Sequence, residues 1–201
     1  HRTEINGFMT VLHGDCRFYN NLFIQKPVRA GMEEIRKLTG DNEWDDGNLT
    51  AGTAPYSGYP TLEEYVARFE GYCGMGSGKS PDLYHEKLPV WLGGNVYFNG
   101  AKPAEQEQDA VVDTEHEITI GVKEENGKWK LETNVYDYLP QNACAVISTE
   151  TLGMAFEPEQ KYENPDGTPI VFRYDYFGNR QGIHPLPGPF ASKEAAEEAL
   201  S

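Results

Sequence analysis

The residues able to do chemistry are thinly spread. His1, His13, His85, His116 and His184 form no HExxH motif and no pair four positions apart, so no metal-ligand spacing stands out. The stretch GMGSGKS, residues 74–80, invites a phosphate-loop reading. The glycine that such a loop requires at its start is replaced by Cys73, and the segment follows a predicted helix instead of a strand. A flexible glycine-rich loop is the better reading. No serine sits in a GxSxG elbow, which leaves acyl transfer without a nucleophile. His1 beside Glu4, or His13 beside Asp15, could contribute acid–base groups to a polar cleft, although ordinary loop and corner positions explain them as simply. The tyrosines and tryptophans have apolar ring faces and polar tips suited to stacking on sugars. Half-buried positions in a loop-rich β protein account for most of them.

Charge narrows the classes of partner. Against 17 Lys and Arg stand 32 Asp and Glu, a net charge of −15, and no segment concentrates basic residues. A nucleic-acid backbone would be repelled, whereas neutral sugars are compatible with that field. The apolar runs are too short to span a bilayer. Cys16, Cys73 and Cys144 form no CxxC pair and are odd in number, so reduced structural thiols are expected, with a lean towards a cytoplasmic location. Asn48-Leu49-Thr50 fits the glycosylation sequon, a triplet frequent by chance.

The elements that must position any site are mainly β. INGFMTVLH (5–13), CRFYN (16–20) and LFIQ (22–25) read as strands around a Gly14-Asp15 corner, with Cys16 and Phe18 on one face and Arg17 and Tyr19 on the other. An excursion over 27–88 carries two helical candidates, GMEEIRKL and TLEEYVARFEGY. The second has a capping box at Thr61 and Glu64, and Leu62, Tyr65 and Phe69 recur at helical spacing. LPVWLGGNVYFNGAKP then repeats the opening texture. Phe18-Tyr19-Asn20-Asn21 and Tyr97-Phe98-Asn99-Gly100 each end a short aromatic strand in residues that tolerate left-handed backbone. A hairpin turn explains one such motif alone. Two copies fit a parallel β-helix, in which short strands turn sharply at every coil and stacked asparagines hydrogen-bond above and below.

After residue 110 the pattern becomes antiparallel. EITIGVKEENGKWKLETNV is two alternating runs joined at Asn126-Gly127, a hairpin signal. CAVISTETLGMAF and TPIVFRYDYFG suggest further strands, the second preceded by a Pro165-Asp166-Gly167 turn, and SKEAAEEAL closes the chain as a helix capped by Ser192.

In HRTEINGF, GDCRFYNNLFI, NVYFNGAKP and YENPDGTPIVFRYDYFGNRQGIHPLPGPFA the chain resembles the C-terminal part of the β-xylosidases of glycoside hydrolase family 120, in order and over nearly its whole length. The tail, with its DG turn, Asp-Tyr-Phe-Gly stretch and PGPF closure, resembles those of other β-helix glycosidases as well. The resemblance implies a mainly β fold: residues 1–110 as the last coils of a right-handed parallel β-helix with an inserted helical loop over 27–88, and residues 111–201 as an antiparallel tail with a short C-terminal helix. It implies a retaining exo-glycosidase acting on xylo-oligosaccharides through two carboxylates about 5 to 5.5 Å apart, both upstream of the segment matching His1. No residue of this chain is therefore assigned a catalytic role. His1 and Glu4 are the expected substrate contacts, and no metal or organic cofactor is implied.

The chain opens at His1 without an initiator methionine, as a processed or excised piece would. Roughly two coils are countable, whereas about three repeats are normally needed for stability. If Phe18, Leu22, Val96 and Phe98 point inward or onto an adjacent coil, each is worth about 1.5 to 3 kcal/mol on burial, against a domain stability of about 5 to 15 kcal/mol. The expected partners are thus an oligosaccharide and either an N-terminal β-helix segment or another chain, a further copy included, covering the open coil. Such a fragment should be inactive alone. The alternatives are a non-catalytic β-rich carbohydrate-binding or assembly module, or a β-helix glycosidase of another specificity.

Overall fold

The computed structural model describes residues 14–26, 58–70, 87–156 and 159–198. Two short passes of chain lie on top of one another. In the first pass β1 (Cys16–Tyr19) turns at Asn20-Asn21 into β2 (Leu22–Ile24). In the second, β3 (Val90–Gly93) turns at Gly94-Asn95 into β4 (Val96–Phe98). β1 pairs with β3 and β2 with β4, both parallel, with Cys16 over Val90 and Leu22 over Val96. β5 (Val111–Val112) adds a third level by pairing in parallel with β4. The antiparallel texture expected from residue 111 thus begins later, because Val111 still donates to the Asn95 carbonyl and Asp113 to that of Tyr97.

Left-handed backbone makes the sharp corners. Asn20 has φ 56° and Gly94, stacked on it, φ 63°. Asn20-Asn21 and Asn99-Gly100, the two copies of one motif in the sequence, do not lie over one another in this register: the corner that Asn20-Asn21 covers is Gly94-Asn95. Asn99 also has φ 56°, but it closes the next bend along the same coil. Any Cβ at Gly94 would come within 2.5 Å of the Asn20 side-chain oxygen, so the second level needs glycine where the first has asparagine.

The tail starts with the expected hairpin. β6 (Ile120–Glu125) and β7 (Lys128–Thr133) pair antiparallel around Asn126-Gly127, both at positive φ. A turn of 3-10 helix (Val135–Asp137) follows, then α2 (Thr149–Leu152), then the two-residue strands β8 (Met154–Ala155) and β9 (Gln160–Lys161). The strands expected within CAVISTETLGMAF and TPIVFRYDYFG are mostly not formed. Ser148 starts the short helix there, and Val171, Pro169 and Tyr174 make only isolated bridges. Side-chain hydrogen bonds organise turns instead, as where Asp166 holds Thr168 and Asp175 holds Phe177 and Asn179. The helix α3 (Lys193–Glu197) begins at Ser192 as expected, its hydroxyl accepting from the Ala195 amide.

In the excursion, α1 (Leu62–Arg68) has the anticipated capping box between Thr61 and Glu64. Tyr65 is buried and packs on Phe69 and Phe156, but Leu62 lies on the solvent side at 44 % exposure. The candidate helix GMEEIRKL and the strand INGFMTVLH fall outside the described residues, as do Cys73 and GMGSGKS.

Coils and tail share one core. Val96 and Phe98 are fully buried against Ile118, Val135 and Leu139, with Leu22, Ile24 and Leu186 packed around them. Leu22, Val96 and Phe98, expected to need a further coil or another chain to cover them, are instead packed within the chain itself, because the tail supplies Ile118, Val135, Leu139 and Leu186 as neighbours. A smaller cluster seats α3 through Ala195 and Ala196 on Phe190, beside Leu131 and Phe177.

Candidate functional site

The corner between β3 and β4 holds a buried polar network. Asn95 is wholly buried. Its side-chain oxygen accepts from the backbone and side-chain N–H groups of Asn21 above it, at 2.8 and 3.0 Å. Its amide nitrogen donates to the Phe18 carbonyl at 2.8 Å and to Glu107 Oε1 at 2.7 Å. Glu107, also buried, uses its other oxygen to take the Tyr97 hydroxyl proton in hydrogen bond. Burial pushes the Tyr97 phenol far up, and the bond to Glu107 adds to the shift. A buried carboxylate invites a catalytic reading. Here both oxygens are spent on holding the corner, and Phe23 stacks on Tyr97 with ring centroids 4.9 Å apart.

Arg17 plays the matching part on the neighbouring face. It lies in register over Trp91, its guanidinium carbon 4.1 Å from one ring centroid of that residue and 4.7 Å from the Tyr162 ring. Its nitrogens donate to the carbonyls of Leu152 and Met154 at 2.8 and 2.6 Å and to the Asp15 carboxylate at 2.6 Å. Asp15 in turn accepts from the Phe156 amide at 3.1 Å. One arginine thereby ties coil to tail, with each of its guanidinium nitrogens engaged. Nearby, the Gly188 amide donates to the Asn20 carbonyl at 2.7 Å and the Asn20 side chain donates to the Ala145 carbonyl at 2.8 Å.

Two clefts result. One, of about 590 Å³, opens where β2, β4 and β5 end, beside Gln25, Lys26, Asn99, Asp113, His116 and Glu117. Asp113 receives the amides of Glu115 and His116, both at 2.9 Å, and the His116 Nδ1 lies 2.8 Å from its second oxygen. The histidine bond, first among these, holds the Asp113 carboxyl below the usual range. The ring of His116 stacks on Tyr138 at 4.1 Å. A His–Asp pair could move a proton, yet its carboxylate is already occupied by turn formation.

The second cleft, of about 720 Å³, runs between the Asn20 corner and the tail. Tyr19 lines the coil side, Phe172, Tyr174 and Tyr176 line the tail side, and Gln181 belongs to the wall. The three tail rings are 55 %, 63 % and 68 % exposed. Tyr176 is braced edge-on by Phe177 and Phe190, at 5.2 and 6.1 Å between centroids. Burial raises the Tyr19 phenol, an effect that the Arg17 charge reduces. The tail closes on the coil only because residue 188 is glycine: its φ is 90°, and a Cβ there would sit 2.7 Å from a Leu22 methyl carbon.

His1 and Glu4, the expected substrate contacts, lie outside the described residues, as do His13 and His85. Asp15 is bound to Arg17, and His184 contacts the Cys144 carbonyl at 3.3 Å, whereas His116 faces Asp113. Among the described residues, no group of three or more His, Cys, Asp or Glu could hold a metal ion, and no helix is long and apolar enough to cross a membrane. Sequence reasoning passed over Glu107, Arg17 and the aromatic cleft. The alternating rings of Phe172, Tyr174 and Tyr176 were the one visible signal for the last.

These features define a mainly β chain of stacked parallel strands closed by an antiparallel tail. No family model matches it, and no curated protein does. Among solved structures the fold is similar to that of XylC, determined in complex with xylose, at a TM-score of 0.62 and 24 % identity. The similarity covers 93 % of this chain and 26 % of that one, so the chain spans about a quarter of the length of XylC.

Proposed function

We propose that this chain forms the closing coils and tail of a right-handed parallel β-helix glycosidase of β-xylosidase type, a retaining exo-enzyme acting on xylo-oligosaccharides. The observation that carries the reading is the in-register parallel stack with Asn21 bonded to Asn95 at its corner, in a chain whose fold matches XylC across 93 % of its length. In the double displacement a carboxylate attacks the anomeric carbon while a carboxylic acid protonates the leaving oxygen; water then reverses the bond, with the second group as base. Both acids belong to coils outside this chain. The engagement of Glu107, Asp15, Asp113 and Asp175 in structural hydrogen bonds supports placing them elsewhere. His1 and Glu4 belong to the substrate side in this reading, and an N-terminal β-helix segment or a neighbouring chain covers the open coil.

The test compares a longer polypeptide encoded by the surrounding reading frame with the chain alone, on an aryl β-xyloside followed by proton NMR. Xylose released first as the β-anomer by the longer polypeptide, and none by the chain alone, is the expected result. Turnover by the chain alone overturns the reading, as does binding without sugar release by both. The exposed aromatic cleft favours a second reading, a non-catalytic carbohydrate-binding module, which that last outcome would select.

A further inference from the structure

We propose that the cleft between the Asn20 corner and the tail binds a neutral oligosaccharide, with Tyr174 and Tyr176 as stacking platforms and Gln181 as the orienting polar group. The inference takes the sugar class from the proposed function and adds the place on this chain where the sugar is held.

Three observations carry it. The first is shape and lining: the cleft, about 720 Å³, falls within the roughly 300–1,000 Å³ usual for small-molecule sites, and rings line both its sides. Phe172, Tyr174 and Tyr176 line one cleft from a short, bent stretch of chain, which makes them neighbouring faces on which successive sugar rings could stack. Their exposure of 55–68 % leaves ring surface free to stack, and the Phe177 and Phe190 braces limit the entropy lost when Tyr176 is covered.

The second is charge. The charged residues lining the cleft are Arg17 and Asp175. Arg17 spends its donors on Asp15, Leu152 and Met154. Asp175 accepts from Phe177, Asn179 and Ala191. Neither is available for an ionic ligand. The occupant must therefore be neutral, with apolar faces for the rings and hydroxyls for the tyrosine tips, which describes a sugar better than an apolar peptide.

The third is an unmet need. Among the described residues, the buried side-chain oxygen of Gln181 has no hydrogen-bond partner. A buried acceptor left unpaired is destabilising, and a sugar hydroxyl entering beside it would supply the donor.

The experiment titrates the 201-residue chain with xylotetraose by calorimetry and by heteronuclear NMR, with cellotetraose as a parallel arm. Saturable binding is expected, with shifts centred on residues 172–181. Tyr174→Ala and Tyr176→Ala should each weaken it about tenfold, while the corresponding Phe variants stay within about threefold of the parent. Both positions are exposed, so folding should survive, and circular dichroism checks that it does. Gln181→Leu should weaken binding while leaving thermal stability equal or higher, a separation that a purely structural glutamine would not show. Absence of saturable binding to either sugar, or binding indifferent to Tyr174 and Tyr176, overturns the proposal. So does a concentration-dependent dimer abolished by Tyr176→Ala, which would make the face a contact between copies. Failure here leaves xyloside hydrolysis by the longer polypeptide unaffected, so the two readings fall separately.

Discussion

Arg17 sits directly over Trp91 on the neighbouring coil, its guanidinium 4.1 Å from the ring, and from there its donors reach the carbonyls of Leu152 and Met154 in the tail. The side chain is 7 % exposed, so its charge is stabilised by these partners and hardly by water. Replacing it removes the ion-pair partner of Asp15 and a donor from the carbonyls of Asp15, Leu152 and Met154. Arg17→Ala is expected to cost about 3 to 5 kcal/mol, as for a broken buried ion pair. Arg17→Lys should recover only part of this, because an ammonium has neither the planar stacking surface nor the fork. Urea unfolding of the three proteins measures both; equal stability of the Ala variant and the parent would refute the clamp.

Asn95→Ala should be more damaging than its size suggests. It removes the acceptor for Asn21 and the donor to Phe18 and Glu107, all in a buried corner. Each orphaned buried group costs about 1 to 3 kcal/mol, so a loss of at least about 3 kcal/mol is expected. Asn95→Leu should rescue nothing. A thermal melt of the Leu variant at or above the parent's would contradict the polar corner.

Gly188→Ala strains the tail closure twice, through φ 90° and through the overlap with Leu22. A penalty of about 1 to 3 kcal/mol follows from the backbone alone. The overlap makes the cost depend on Leu22, so a double-mutant cycle with Leu22→Ala should show coupling of at least about 0.5 kcal/mol. Strict additivity would mean that the two residues do not meet.

The tail should also be acid-labile. Burial draws the Asp175 carboxyl upward, but hydrogen bonds from Ala191, Asn179 and Phe177 outweigh it, and its folded value lies below the ordinary one. A depressed carboxyl contributes stability above its unfolded value, near 4, and loses it as pH falls through the folded value. Stability monitored from pH 6 to pH 2 should therefore drop below about pH 4, and Asp175→Asn should flatten that part of the profile. An unchanged slope in the variant would assign the acid response elsewhere.

Cys144 is buried beneath the second corner, its thiol donating to the Gly94 carbonyl at 3.3 Å. Burial pushes the thiol up to about 11. Little thiolate exists at pH 8, so iodoacetamide should label Cys144 only after denaturation, as read by peptide mass spectrometry. Rapid labelling of the native chain would show this part of the tail to be open.

The local devices were legible because each is written within a few residues: the Thr61–Glu64 box, the Asn126-Gly127 hairpin and the Ser192 cap. The parallel stack was legible in kind but not in register. Asn20-Asn21 resembles Asn99-Gly100 in residue type, whereas its partner, Gly94-Asn95, shares only the sequence of left-handed bend and amide. Composition cannot reveal which of two corners lies beneath a third when 74 positions separate the amides that bond. The tail was over-read for the same reason. Thr168 to Gly178 alternates as a strand would, but Asp166 and Asp175 fold its ends into turns, and no long partner lies alongside. Glu107 and Arg17 gave no signal at all, since an isolated acid or arginine acquires its role only from what the register brings to it.

The register itself is testable with a thiol already present. Cys16 lies in register with Val90 in β3, so Val90→Cys should place a second thiol within disulfide reach across the parallel pair. Mild oxidation followed by peptide mapping should find that bond, and Leu92→Cys, two positions further on, should leave Cys16 unpaired with it. A bond to position 92 instead of 90, or none at either, would contradict the stacked coils on which the whole account rests.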